Sequence, residues 1–286
     1  MAKIGVQAMM LKRQVAESGA YSIWKRLAAG GFRVVEVSQI ELTEQTRDDI
    51  VRANADFGMS VAAISGGMGA TGGGGNDSLR ESFDKIVADC RALGTSRVRI
   101  GMLPMPSLAS KDALLQFAAD ANVMARRLAD EGIVLSYHNH HAEFARIDGV
   151  HLLDLIRENA PDLKFELDVH WIQRGGMDPV TVLGRYAGVV DLVHLKDYRI
   201  ELPPASAFEA LAAGDQTTWG EAWQNLVQFA EVGRGNLDFK GVVDAGIAAG
   251  AEYLLIEQDD QYGRDIFDCL ADSREHLVDL GYADLF

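Results

Sequence analysis

Three histidines and a carboxylate fall within six residues at His138-Asn139-His140-His141-Ala142-Glu143. They follow the apolar run Ile133-Val134-Leu135, so they belong to the end of a buried strand and the loop beyond it. A core strand rarely tolerates so many groups that need hydrogen-bond partners, which makes this a place for chemistry. Comparable groups end three further apolar runs. Asp168 follows Leu167, His194 follows Val193, and Glu257 follows Leu255-Ile256. Glu143, Asp168, His194 and Glu257 together offer three oxygen ligands and one nitrogen. That hard, mixed set suits one divalent ion, Mn²⁺ first, with Mg²⁺, Co²⁺ or Zn²⁺ as alternatives; a structural zinc site would more often draw on sulfur. Each residue has an ordinary alternative: Asp168 as a helix cap, His194 as a satisfied core histidine, Glu257 in a rim ion pair. Four such groups at four successive strand ends speak for a shared site.

A metal chelated by a ketone and a neighbouring hydroxyl acidifies the C–H between them by stabilising an enediolate. A carboxylate on one face removes the proton and an acid on the other returns it, which gives isomerisation or epimerisation. With a leaving group β to the carbanion the same intermediate eliminates, which would dehydrate an inosose or cleave a 3-keto-glycoside. The imidazoles keep that second outcome open, because histidine serves as acid or base near neutral pH. Glu143, Glu257 and His140 are groups of the types that can carry such a proton. His138, His170, Trp171, Lys196, Arg199, Arg234 and Glu36 are the expected substrate contacts: Lys196 and the arginines for hydroxyls or a phosphate, Trp171 (with Trp219 or Trp223) for a sugar face, Glu36 from the end of strand two. For each of these, rim ion pairing or core packing is the plainer account.

Strand-like and helix-like runs alternate from end to end and supply the scaffold. Strands are expected at Ile4–Gln7, Arg33–Val37, Val61–Ser65, Arg97–Gly101, Ile133–Asn139, Leu163–Val169, Val189–Leu195 and Tyr253–Glu257. Helical periodicity fills the intervals at Ala20–Ala29, Thr43–Phe57, Leu79–Leu93, Lys111–Asp130 and Leu152–Glu158, several of them stopped by glycine, and Asp178-Pro179 has the form of a cap followed by proline at the first helical position. Parallel neighbours need a crossover, so this order predicts a (β/α)8 barrel in a single domain over 1–286. A long connection separates strands seven and eight; Leu202-Pro203-Pro204 opens it and Trp219 to Phe229 reads as an extra helix, a helical insertion over the active face. The run from Gly66 to Gly75 lacks the spacing of a phosphate or dinucleotide loop and reads as a flexible surface loop, with a mobile lid as the sharper alternative.

The 286 residues carry a formal charge of -15, which disfavours nucleic acid and anionic membranes and points to a neutral sugar or polyol rather than a polyanion. No apolar run is long enough to span a bilayer, and the amino terminus enters a strand at once, so a cytoplasmic protein is expected. Cys90 and Cys269 fall in expected helices and read as buried apolar residues.

Tyr137-His138-Asn139-His140 with Glu143-Phe144 is similar to a signature of the sugar phosphate isomerase/epimerase family, the xylose isomerase-like TIM barrels. Leu167-Asp168-Val169, Arg174-Gly175-Gly176 with Asp178-Pro179, His194-Leu195-Lys196-Asp197, Glu231-Val232-Gly233 with Gly235-Asn236, and Ile256-Glu257-Gln258-Asp259 extend the resemblance over essentially the whole chain. It implies a divalent metal held by Glu, Asp, His and Glu, with the two glutamates moving the substrate proton. By motif position the Asp, His and second Glu are Asp168, His194 and Glu257. The first Glu lies inside strand five in the epimerase branch, where this chain has His138, so Glu143, His138 and His140 compete for its role. That branch also places a histidine where this chain has Trp171. A homo-oligomer is expected. Two other classes stay in view: a nuclease related to endonuclease IV, which would need several zinc ions and a basic face, and a barrel that binds a sugar or serves as one subunit of a lyase complex.

Overall fold

Short β-branched and aliphatic runs form the frame. The computed structural model describes residues 2–69 and 76–286. Eight parallel strands close on themselves: β1 (Lys3–Gln7), β2 (Val34–Val37), β3 (Ser60–Gly67), β4 (Arg97–Ile100), β5 (Val134–His138), β6 (Lys164–Asp168), β7 (Val190–Leu195) and β8 (Tyr253–Ile256). Each pairs with its sequence neighbours, and β1 pairs with β8 to close the ring. Helices between consecutive strands cover the outside, as parallel pairing requires. The (β/α)8 barrel expected above is the fold.

Local sequence sets the helix ends. Thr43 caps Glu44–Phe57 by accepting from Thr46 N at 3.1 Å, and Gly58 closes that helix at φ 63°. Asp178 caps Pro179–Arg185 with proline at the first helical position. Other boundaries differ from the sequence reading. The helix expected from Leu79 begins at Phe83, because Asp77–Ser78 adds to the edge of β3 instead. The helix expected over Trp219 to Phe229 runs Gln216–Gln224, and Val227–Ala230 is a strand antiparallel to Asp197–Ile200. Local helical spacing yields there to a remote partner strand, which one-dimensional periodicity does not reveal. A further helix, Ala205–Ala212, lies between the two hairpin strands. The expectation for the glycine run is testable only in part: Gly66 and Gly67 end β3, and residues 70–75 lie outside the described residues.

Strand alternation sends one set of side chains to the helices and the other into the barrel. Phe165, Leu167, Val193 and Leu195 pack outward in the main core. The inward set is unusually polar. Arg97 Nε meets Asp191 at 3.0 Å, and beyond that pair lie Arg99, Glu36, Glu166 and His194, all buried. Cys90 and Cys269 are buried and unpaired. Among the described residues no helix is long and apolar enough to cross a membrane.

Candidate metal centre and active-site cavity

The inward positions at the ends of four strands meet at one point. His138 (end of β5), Asp168 (end of β6), His194 (β7) and Glu257 (just past β8) place one ligand atom each within 4.8 Å of the others, and all four are buried. Glu257 Oε2 lies 2.6 Å from His194 Nδ1; His138 Nε2 lies 3.1 Å from that same nitrogen and 3.4 Å from Asp168 Oδ2. Asp168 divides its carboxylate: Oδ1 caps the following helix by accepting from Trp171 N at 3.0 Å, while Oδ2 faces the cluster. Asp168 Oδ2 and Glu257 Oε2 are buried without a hydrogen-bond donor. Buried carboxylate oxygens left in that state are costly, and a divalent cation between them removes the deficit. The donor set of two oxygens and two imidazole nitrogens fits such an ion.

Below this point the barrel holds a second buried layer. His194 Nε2 donates to Glu36 Oε2 at 2.8 Å and stands 3.1 Å from Glu166 Oε1. With an ion bound, that contact would keep the proton on Nε2 and offer Nδ1 as the ligand, an arrangement in which an outer carboxylate sets the tautomer of a ligand histidine. Glu36, Glu166 and His194 also lie close enough to hold an ion. Their cation is already present: Arg99 Nε lies 2.7 Å from Glu36 Oε1 and 3.3 Å from Glu166 Oε2. Gly101 gives that guanidinium room, since a Cβ there would stand 2.7 Å from Arg99 Nη1. Burial alone would push Glu36 up, but Arg99 and His194 hold its carboxyl down at about 2. Burial and the Glu36 charge push Glu166 up to about 7. One carboxyl of this pair therefore keeps its proton near neutrality.

A cavity of about 550 Å³ opens over the cluster. His138, His140, Lys196, Glu257, Asp259 and Arg99 form its polar floor and one wall. Burial opposes ionisation of Glu257, yet Lys196 and His194 hold its carboxyl well below the usual range. Lys196 is buried and still charged: Asp259 Oδ1 is 2.7 Å away, Glu257 Oε2 3.5 Å and Asp168 Oδ2 3.7 Å. Its ammonium sits 4.9 Å from the centre of the Trp171 ring. Burial, and the Glu257 charge, push Asp259 up to about 6. Burial, then His138, push His140 down to about 3, so its imidazole is neutral, and its Nδ1 has no partner.

The expected site residues divide accordingly. Asp168, His194 and Glu257 come together as expected, and the fourth place is taken by His138. Glu143 is not in that cluster: Tyr137 Oη donates to its Oε1 and His140 N to its Oε2, so both oxygens are engaged in holding the loop. The structure thus places Glu143 beside the cluster and not in it. Glu36 does not reach the cavity; it is sealed beneath His194. Arg199 pairs with Glu201 and Glu231 on the hairpin, and Arg234 is exposed with Asp272 at 4.0 Å; neither lines the cavity. Trp171 lies behind the wall, its ring 5.4 Å from His140 and 5.1 Å from His141. His170 lines a separate cavity with His141, Arg174 and Tyr198. Trp219 and Trp223 pack on each other in the insertion. Sequence reasoning missed Arg99, Glu166 and Asp259. Arg97 and Arg99 alternate with Val98 and Ile100 in a core strand, and Glu166 is two residues from Asp168 on the same face; both were readable signs of inward charge.

A family model described as xylose isomerase-like TIM barrel matches residues 24–273, so the chain belongs to that family. No curated protein matches the sequence. Among solved structures, a sugar phosphate isomerase/epimerase from Parabacteroides distasonis is 21% identical, with a TM-score of 0.70 over 100% of this chain and 94% of that one. An L-ribulose 3-epimerase is 18% identical, with a TM-score of 0.66 over 99% and 96%. A probable 3-DHS dehydratase from Bacillus anthracis is 15% identical, with a TM-score of 0.66 over 97% and 99%. At these identities the likeness is one of fold.

Proposed function

We propose that this protein is a divalent-metal-dependent sugar isomerase or epimerase that moves a proton on the carbon beside a carbonyl. The observation that carries this reading is the buried cluster His138, Asp168, His194 and Glu257, with two undonated carboxylate oxygens, on the floor of an open cavity. The solved epimerases of the same fold agree with it. His138, Asp168, His194 and Glu257 would hold the ion, and Mn²⁺ suits the donor set best. When bound, the metal polarises a substrate carbonyl and acidifies the neighbouring C–H.

The chain's own residues supply the rest. Glu257 is ionised at neutral pH and is the proton acceptor on the cavity floor. Lys196 donates a hydrogen bond to a substrate oxygen, and Asp259 holds its ammonium in place. His140, neutral, relays the proton by accepting it at Nδ1 as it releases the one on Nε2, with its loop fixed by the bond from its backbone N to Glu143. Glu143 acts as a positioning residue. A proton exchanged by Glu257 appears as solvent deuterium on the substrate carbon. Incubation of the Mn²⁺-loaded protein with a ketohexose and inosose panel in deuterated water tests this: exchange in the wild type and its loss in Glu257→Gln supports the reading, and equal exchange in both removes Glu257 as the base.

Elimination is the second reading. His140 and Asp259 both face the cavity, and Asp259, near 6, can give a proton to a leaving oxygen. The same incubation with 3-keto-glycosides and inososes distinguishes it by release of the leaving group. The substrate is built on a small sugar or polyol ring, and we propose the cytoplasm as the protein's location and a homo-oligomer as its assembly.

A further inference from the structure

Apolar side chains line the cavity beside the polar floor described above, together with Lys12, Ser38, Gln39 and Asn76. The segment after β4 supplies Met102, Leu103, Pro104 and Met105, and the segment after β1 supplies Met9. Met102 is 51% exposed and Met105 56% exposed, while Leu103 behind them is buried and anchors the segment in the core. Met9 is fixed: Gln39 Nε2 donates to its Sδ at 2.8 Å, and Lys12 Nζ in turn donates to Gln39 Oε1 at 3.1 Å. Gln39 lines the cavity in a left-handed backbone conformation, φ 53°, a cost a non-glycine residue meets only where its surroundings demand it.

An acidic protein gains nothing from exposed methionines at random, and adjacent exposed apolar side chains mark a binding surface. Methionine suits such a surface because its thioether is flexible and polarisable and packs on aromatic rings. The size agrees. A cavity of about 550 Å³ lies within the range of roughly 300–1,000 Å³ that encloses a drug-sized ligand, more than one monosaccharide ring fills. Among the described residues lining the cavity, Arg99 is held by Glu36 and Lys196 by Asp259, and Lys12 donates to the neutral Gln39 amide.

We propose that the wall formed by Met9, Met102, Pro104 and Met105 is a subsite for an apolar, preferably aromatic, group carried by the sugar, so that the substrate is a glycoside or aryl-substituted sugar and not a free monosaccharide. The polar ring of the substrate lies over His138, Glu257 and Lys196, and the apolar group projects toward the mouth onto the methionines. The inference rests on the reading of the floor as a sugar site.

The test is binding to the Mn²⁺-loaded full chain by isothermal titration calorimetry. The probes are phenyl hexopyranosides of gluco, galacto and manno configuration and their 3-keto forms, each against its methyl counterpart, with the hexose 6-phosphates as a further arm. The expected result is a phenyl form bound on the order of tenfold more tightly than its methyl form, the worth of partly burying one ring. In Met102→Ser with Met105→Ser that ratio falls toward one, and Met102→Leu with Met105→Leu restores it. Both positions are exposed, so the fold tolerates the change. A ratio near one for every pair in the wild type, a ratio unmoved by the serine variants, or tightest binding of the 6-phosphates overturns the subsite. Deuterium exchange across the ketohexose, inosose and 3-keto-glycoside panel reads the isomerase function separately. Exchange with no phenyl preference overturns this inference alone, and a methionine-dependent phenyl preference with no exchange on any sugar overturns the isomerase reading alone.

Discussion

Arg99→Met keeps most of a side chain's length and removes its charge. Arg99 Nε stands 2.7 Å from Glu36 Oε1 and 3.3 Å from Glu166 Oε2, and all three residues are 4% exposed or less. The intact pair is a modest net contributor, because desolvation cancels much of its attraction. Removing one partner is different, since it leaves carboxylates buried without a counter-charge, at a cost of about 3–5 kcal/mol. In a chain of this length that corresponds to a fall in melting temperature of roughly 6–10 °C. The loss also depends on pH. Without Arg99 the folded-state carboxyl pKa rises above its unfolded value, so the folded state binds more protons. Part of the deficit, the lost support that holds Glu36 at about 2, is already present at pH 5; the rest accumulates as pH rises from the unfolded pKa to the raised folded one, so the deficit is larger at pH 8. Urea unfolding followed by tryptophan fluorescence at both pH values measures it. Glu36→Gln and Glu166→Gln, added to Arg99→Met, recover most of the loss. A deficit below about 1 kcal/mol, or one equal at the two pH values, refutes the reasoning.

Three further outcomes follow from the site. Asp168→Asn and His194→Ala lose the bound ion, which metal analysis reads as a fall from about one divalent ion per chain to a small fraction of that; full occupancy in both places the metal elsewhere. Glu36→Gln, out of reach of substrate, weakens metal binding by about 10–100-fold in a chelator competition, because His194 loses the anionic acceptor that raises the basicity of its ligand nitrogen; unchanged affinity reduces Glu36 to a packing role. Glu143→Gln keeps its metal in the same analysis and lowers turnover, whereas loss of the ion would restore Glu143 as a ligand.

The barrel was legible because its signals are local and repeated. Eight apolar β-branched runs with crossover helices leave few alternatives, and Asp168, His194 and Glu257 could be placed because each ends such a run. Glu143 was misplaced because sequence distance was taken for spatial role. Two residues of strand alternation put His138 and His140 into the barrel, and the short turn over Ala142–Phe144 folds Glu143 back onto Tyr137. The layer beneath was hidden for another reason. Arg99, Glu36, Glu166 and His194 come from four strands, and only closure of the barrel shows that the guanidinium neutralises the carboxylates. Arg199 and Arg234 lie away from the cavity lining because the hairpin and its neighbours offer them nearer carboxylates.

The most direct test of the central claim combines metal and proton in one sample. The protein is stripped with a chelator, reloaded with one equivalent of Mn²⁺, and incubated in deuterated water with the ketohexose, inosose and 3-keto-glycoside panel, with deuterium on the substrate carbon read by mass spectrometry. Incorporation that requires Mn²⁺ and disappears in Glu257→Gln is the predicted result. Incorporation that persists in the stripped protein, or in Glu257→Gln, would contradict it.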